Sequence, residues 1–368
     1  MARSKNAAID TLLAEVAERF GEGLLRPASE LADRRVYRSS GSISLDLALG
    51  GGWSHGTVVD VVGKQGTGKT LVFDLAAIEA QRTEKKPSVI FDFEHAYDVQ
   101  RFKMLGGDPK MLYVVRSENF GTSNLFVEDC TDMCKLLLST PTYACIGFDS
   151  TGAMVSSAEY ELKEKKGEEG STGYAYVARA MSSLLRQIVG TGSVLRSGST
   201  IFVMSQMRDP VGVRAVRGIP PQDKRTGGRA LPHYASVQIE VLRGETIKGN
   251  TAEEKQVERG HETKVRVRKN KCNAKQGRVA MFEIYTEGEI RGLDRAKELT
   301  EMAALVGVIT RSGRYYTFPS GDRVGSFDEA VAVVRGPKLF KDVYDRTIAL
   351  MEEQQAKNAM PAVEVDDE

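Results

Sequence analysis

The segment Gly63-Lys64-Gln65-Gly66-Thr67-Gly68-Lys69-Thr70 constrains this chain more than any other, because it puts a glycine-rich turn between a strand-forming and a helix-forming run. Residues 58–62, Val-Val-Asp-Val-Val, are short and β-branched and predict a buried strand, while residues 71–77 carry apolar side chains at helical spacing. Strand, turn and helix in that order predict a P-loop. Gly63, Gly66 and Gly68 let the backbone wrap so that its N–H groups face phosphate oxygens, at a helix N-terminus whose dipole also favours anions. In such a loop Lys69 neutralises the β- and γ-phosphates and Thr70 binds Mg²⁺, so ATP and Mg²⁺ are the expected ligands.

The 368 residues suffice for one large domain with small appendages, and 41% hydrophobic residues supply its core. A formal net charge of +1 excludes a global positive field, so any nucleic-acid binding has to come from a local patch. Cys130, Cys134, Cys145 and Cys272 contain no C-x-x-C pair and read as reduced thiols of an intracellular protein, not as metal ligands. No apolar run approaches the ~18 residues of a membrane span, and Met1-Ala2-Arg3-Ser4-Lys5 lacks a signal-peptide core, which predicts a cytoplasmic protein.

Ile9, Leu12, Leu13, Val16, Ala17 and Phe20 fall at helical spacing before Gly21 and Gly23, which makes residues 1–40 an N-terminal arm. Its apolar stripe either seeks a partner or docks on its own domain. Residues 41–288 alternate strands with helices and predict an α/β core with a mostly parallel sheet covered on both faces. The strands are expected at 58–62, 88–93, 111–115, 144–148, 199–205, 237–242 and 263–269. Two segments break the rhythm, at about 158–174 and 207–229, and loops beyond ~12–15 residues in a compact domain are usually functional or disordered. A small α+β unit is expected over 289–352, with a hairpin at 314–323 and a helix at 340–351, followed by an acidic, disordered tail at 353–368.

The apolar run Ala144-Cys145-Ile146-Gly147-Phe148 ends in Asp149, the Walker B pattern in which a strand-end carboxylate holds the Mg²⁺ hydration shell. Glu94 closes the strand at 88–93, where it can polarise an attacking water as general base. Gln206 closes the strand at 199–205 and feeds into the second loop; its amide can donate to a phosphate oxygen and accept from water. In that loop Arg208, Arg214, Arg217, Lys224, Arg225 and Arg229 against Asp209 and Asp223 leave a net +4. Val211, Val213, Val216 and Ile219 between the bases suggest apolar wedges for unstacked nucleotides, and Gly227-Gly228 allow close backbone approach. The first loop, with Glu159, Glu161, Glu164, Glu168 and Glu169 against three lysines, is not a DNA contact on charge.

These motifs, together with Ser40-Gly41-Ser42-Ile43-Ser44-Leu45-Asp46, Asp92-Phe93-Glu94-His95-Ala96-Tyr97-Asp98, Ser205-Gln206-Met207-Arg208, Thr226-Gly227-Gly228-Arg229 and Lys269-Asn270-Lys271, resemble the RecA-type recombinases over nearly the whole chain. The resemblance implies a helical filament on single-stranded DNA that pairs with double-stranded DNA, ATP sandwiched between neighbouring subunits, and mediator and single-strand-binding proteins as partners. It implies a catalytic Glu94, a γ-phosphate sensor at Gln206, and Lys269 and Lys271 reaching the neighbour's γ-phosphate in trans. Asp98 and Arg101 fall on its nucleotide side. DNA contacts are implied at Tyr174, Arg179, Ser182, Arg186, Met207, Arg208, Val211, Arg225, Gly227, Gly228 and Arg229, and helical spacing independently puts Arg179, Ser182 and Arg186 on one face.

The chain departs from the pattern where the family stacks a tyrosine on adenine and this sequence has Arg101, and where Thr286 beside Tyr285 takes the place of a second tyrosine. Pro232-His233 replaces a Lys-Phe pair at the end of the second loop. The competing readings are a ring-forming motor or helicase of the same ATPase superfamily and a regulatory scaffold that only binds nucleotide. Closed hexamers, as against open filaments, mark the first, and function surviving loss of Lys69 marks the second.

Overall fold

The computed structural model describes residues 2–22, 25, 35–120, 125–166, 173–208, 224–225, 230–249, 257–273, 276–288 and 290–357. Two compact units, Met1–Val36 and Tyr37–Glu368, divide the chain. In the first, α1 (Ala2–Phe20) ends where Gly21 takes a φ of 103° and its N–H donates to the Ala17 carbonyl at 2.9 Å. Ile9, Leu12 and Phe20 of α1 are exposed. The second unit begins at Tyr37, ahead of residue 41, because β1 (Tyr37–Arg38) already pairs with β2 (Trp53–Ser54) around α2 (Ile43–Leu49).

Five parallel strands carry the core: β3 (Val58–Gly63), β4 (Ser88–Asp92), β5 (Leu112–Val115), β6 (Cys145–Asp149) and β7 (Thr200–Arg208). Between them run α3 (Lys69–Thr83), α4 (Val99–Met104), α5 (Val127–Leu137), α6 (Ser157–Lys166), α7 (Gly173–Gly190) and α8 (Ser193–Ser197). The period of two along each strand sorts its side chains onto opposite faces. Val59, Val61, Phe202 and Met204 join the α3 side chains Phe73 and Ala77 in one buried cluster. Val58, Ile201 and Val203 join Cys130 of α5 and Met181 and Leu184 of α7 in another. Each of the Val, Ile, Leu, Phe and Met side chains among these contributes ~1.5–3 kcal/mol by burial, which favours the parallel register that puts the carboxyl ends of all five strands on one edge.

After β8 (Lys224–Arg225), which pairs with the end of β7, and α9 (Ala230–Tyr234), the alternation of strand and helix stops. β9 (Val237–Gly249) runs parallel to β3 and then forms a long antiparallel hairpin with β10 (Val257–Asn270). β11 (Val279–Tyr285) and β12 (Gly292–Leu293) continue antiparallel, giving the order β12-β11-β10-β9-β3-β7-β6-β4-β5. The two hairpin strands outrun the expected 237–242 and 263–269 because their polar outer residues are held by ladder hydrogen bonds, which hydropathy does not register. A bulge at Gly260 lets the strands meet closely: a Cβ there would lie 2.1 Å from the Ile284 carbonyl oxygen.

The first expected loop is helical for most of its described length, since Ser157–Lys166 forms α6 and α7 begins at Gly173. Its Glu, Leu and Lys residues are good helix formers, and that propensity overrides the loop reading taken from charge. The C-terminal residues form α10 (Arg295–Val306), a meander of β13 (Thr310–Ser312), β14 (Tyr315–Thr317) and β15 (Arg323–Val324), then α11 (Phe327–Val334) and α12 (Pro337–Lys357). The hairpin expected at 314–323 is thus two thirds of a three-stranded sheet, and α12 runs past residue 351 into the expected tail. This part is continuous with the core: Ile43 of α2 packs in its apolar cluster, and Ser42 Oγ and the Ser44 N–H donate to Glu298 Oε1 at 2.5 and 3.0 Å.

Candidate active site

The P-loop turns from β3 into α3 at the carboxyl edge of the sheet. Gly63 has to be glycine because a Cβ would meet Thr67 Oγ1 at 2.5 Å and the Val241 carbonyl oxygen at 2.7 Å. Gly68, with a φ of 95°, is the N-cap of α3 and supplies no side-chain cap, which leaves the first N–H groups of the helix to an anion. Lys69 is buried and donates from Nζ to the Lys64 carbonyl at 2.9 Å; burial lowers its pKa, against the pull of Asp149 and Glu94. Thr70 Oγ1 donates to Asp149 Oδ2 at 2.5 Å across the gap between α3 and β6. Burial raises the Asp149 carboxyl, and the Thr70 hydrogen bond opposes it.

That hydroxyl and carboxylate are adjacent hard oxygen donors, the set Mg²⁺ takes together with water and phosphate oxygens. Among the described residues no group of three His, Cys, Asp or Glu side chains could hold a metal ion, so protein would supply two ligands at most from this pair.

Glu94 and Gln206, placed on two different strand ends by the sequence, meet here. Gln206 Nε2 donates to Glu94 Oε1 at 2.7 Å, and the Ser150 hydroxyl donates to the same oxygen. The loop bearing Glu94 is folded over its own strand end by Asp92, which accepts from the N–H groups of Ala96 and Tyr97 at 3.2 and 3.0 Å and from Arg116 Nε at 2.8 Å. Ser150, Asp92 and Arg116 were not legible as site residues; the only signal was that Asp92 and Ser150 flank the two carboxylates that were.

P-loop, Asp149, Glu94 and Gln206 share one cavity of about 320 Å³. Its lining also includes Tyr97, Arg101 and Leu105, together with His261 of β10, Tyr285 of β11 and Thr286 directly after it. Arg101 pairs with Asp74 Oδ2 at 3.0 Å, and the Tyr97 hydroxyl donates to Asp74 Oδ1 at 2.7 Å. Burial raises the Asp74 carboxyl to about 6, with Arg101 and Tyr97 pulling it down. Asp98 does not line the cavity; it caps α4 by accepting from the Gln100 and Arg101 N–H groups. Asp74 is one polar residue on an otherwise apolar stretch of α3, a sequence signal for a buried partner, whereas His261 is brought in by strand pairing alone.

Lys269 and Lys271 lie elsewhere. Lys269 pairs in register with Gln238, and the Lys271 N–H donates to the Ser236 carbonyl, near the start of β3 and away from the P-loop at its end. Lys269 Nζ donates to the Pro232 carbonyl at 2.6 Å, and neither lysine lines the cavity. On α7, Arg179 and Arg186 are exposed and Ser182 is half-buried, opposite the buried Met181, Leu184 and Leu185. Met207 pairs with Arg225 and Arg208 with Lys224, so a short antiparallel bridge closes the root of the second loop directly after Gln206. Val211, Gly227, Gly228 and Arg229 lie outside the described residues, and Tyr174 is placed only as a residue of α7.

A phosphate cradle at one strand end, faced by carboxylates from two neighbouring parallel strands, defines a P-loop nucleoside triphosphatase. The family model described as the RecA N-terminal domain matches residues 7–290, and the chain belongs to the RecA family of homologous-recombination proteins. It is 32% identical to Protein RecA of Leptospira meyeri over 331 residues, covering 89% of this chain and 78% of that one. It is 33% identical to Protein RecA of Picosynechococcus sp., covering 89% and 86% of the two chains, and 32% identical to that of Synechocystis sp., covering 99% and 95%. No helix among the described residues is long and apolar enough to cross a membrane.

Proposed function

We propose that the chain binds ATP and Mg²⁺ between adjacent subunits of a helical filament on single-stranded DNA, and that hydrolysis regulates its pairing and strand exchange with a homologous duplex. The hydrogen-bonded path from Glu94 through Gln206 to the β7–β8 bridge carries this reading, since it joins the γ-phosphate end of the cavity to the root of the basic loop. Lys69 and the N-terminal amides of α3 hold the phosphates, while Thr70 and Asp149 would hold Mg²⁺, which when bound neutralises charge on the β- and γ-oxygens. Glu94 takes the proton of the attacking water as its oxygen bonds to the γ-phosphorus and the bond to the β-phosphate oxygen breaks, leaving ADP and phosphate. Gln206 exchanges its contact with Glu94 for the γ-phosphate, so ATP and its products favour different placements of the loop.

Protein contacts to the single strand, from the exposed face of α7 and from the second loop, go mainly to phosphates and leave the bases to test the incoming duplex by pairing. Lys269 and Lys271 complete the site of the next subunit from the opposite part of the sheet. The protein acts in the cytoplasm, with mediator and single-strand-binding proteins as partners.

A mixing experiment tests this assignment. Lys69→Ala and the double variant Lys269→Ala, Lys271→Ala are each expected to be inactive alone. An equal mixture should regain DNA-dependent ATP hydrolysis to about a quarter of wild type, the share of head-to-tail interfaces that pair an intact P-loop with intact lysines. Mixed filaments that assemble on DNA yet regain nothing would refute a site shared between subunits.

A further inference from the structure

Directly after Glu94 the backbone takes a conformation that few side chains adopt. His95 has a φ of 54°, in the left-handed region, and its Nε2 lies 3.1 Å from Ser117 Oγ. A residue other than glycine is strained there, and the strain persists where surrounding contacts over-determine the loop. Those contacts converge on one side chain outside the cavity. Arg116, directly after β5, donates from Nε to Asp92 Oδ2 at 2.8 Å and from a terminal nitrogen to the Tyr97 carbonyl at 2.9 Å. Asp92 ends β4 and Tyr97 stands two residues before α4, so one guanidinium grips both ends of the loop that carries Glu94. An exposed ion pair is worth little, but here the Asp92 side chain is 3% exposed and that of Arg116 25%. The Glu94 carboxylate itself is held only by Gln206 and Ser150, both on Oε1. If Gln206 turns to the γ-phosphate, one of these two anchors is given up, and the place of Glu94 then depends on its backbone.

We propose that Arg116 is a positioning residue for hydrolysis: by bridging Asp92 and the Tyr97 carbonyl it fixes the β4–α4 loop, and with it the Glu94 carboxylate beside the attacking water. Arg116 does not line the cavity, so it acts on the reaction through Glu94 and not on the nucleotide. The planar fork of a guanidinium spans two acceptors at once, whereas an ammonium is a point charge. This inference rests on Glu94 being the general base.

Single-turnover ATP hydrolysis on single-stranded DNA, with ATP binding measured directly, tests it on full-length variants first checked for folding by thermal unfolding. Arg116→Ala is expected to slow hydrolysis at saturating ATP about 10²-fold, the order of a ~1 Å misplacement. ATP binding should stay near wild type, because Lys69 and the amides of α3 hold the phosphates, and general loss of structure would not produce that split. Arg116→Lys reaches one acceptor at a time and should fall between Ala and wild type; it carries the test if Arg116→Ala does not fold. In a Glu94→Gln background either substitution should slow hydrolysis no further, since no base is left to place. Wild-type hydrolysis in Arg116→Ala or Arg116→Lys, a loss confined to ATP binding, or a fully additive loss in the double variant would overturn the proposal. If Glu94→Gln is slow and the Arg116 variants are not, only the positioning role fails; if Glu94→Gln hydrolyses ATP at the wild-type rate, the general base fails with it.

Discussion

Replacing Asp46 with asparagine should change how stability depends on pH. Asp46 sits in α2, 7% exposed, with Oδ2 accepting from Ser39 Oγ at 2.5 Å and Oδ1 from the Ser40 N–H at 2.6 Å. Burial lifts its carboxyl from 3.8 to about 7; the Ser39 and Ser40 hydrogen bonds pull it down, and Glu298 nearby adds repulsion. The unfolded chain releases this proton near 3.8 and the folded chain near 7, so between those values the folded state binds more protons. Stability from this group is therefore greatest below the unfolded pKa, falls as pH rises through the window, and is level above it. At ~1.4 kcal/mol per pH unit the fall comes to about 4 kcal/mol. Asparagine has the same shape, accepts from the Ser40 N–H, donates to Ser39 Oγ and never ionises. Asp46→Asn should match wild type near pH 4 and exceed it by about 4 kcal/mol at pH 8. Urea unfolding across that range, followed by fluorescence of Trp53, the single and fully buried tryptophan, measures the difference. A difference that is flat with pH, or that shrinks as pH rises, would refute the linkage.

Two further substitutions probe the phosphate end. Glu94→Gln keeps the size of the side chain and should leave ATP binding intact while slowing DNA-dependent hydrolysis ~10²–10⁴-fold, the usual worth of a general base; single-turnover kinetics separates the two. Gly63→Ala puts a methyl group 2.7 Å from the Val241 carbonyl oxygen of β9 and 2.5 Å from Thr67 Oγ1, so the P-loop turn or its contact with β9 has to shift. It should cost ~1–3 kcal/mol in thermal unfolding and weaken ATP binding, and an unchanged KM would contradict the close approach.

What the sequence disclosed was local. The P-loop, Asp149, Glu94 and Gln206 were each legible because an apolar strand ending in a polar residue is read within a window of a few residues, and a parallel sheet brings such ends together. The other half of the cavity comes from pairings across large sequence separations. His261 and Tyr285 reach the nucleotide end only because β10 and β11 pair antiparallel beside β9, and hydropathy carries no information on that neighbourhood. Asp74, Tyr97 and Arg101 belong to two helices and a loop whose packing decides which polar groups find each other. Residues 157–166 misled in the opposite way: their charges suggested a loop, while their helix propensity was the stronger local signal.

The separation of Lys269 and Lys271 from the P-loop of their own chain has a consequence for counting. If every catalytic centre borrows its lysines from the next molecule, a row of n molecules contains n − 1 complete centres, and a lone molecule contains none. Turnover per molecule then climbs with the length of the row toward a plateau. One tip always exposes an unfinished phosphate cradle and the other an unused pair of lysines, so growth and loss at the two tips are chemically different processes.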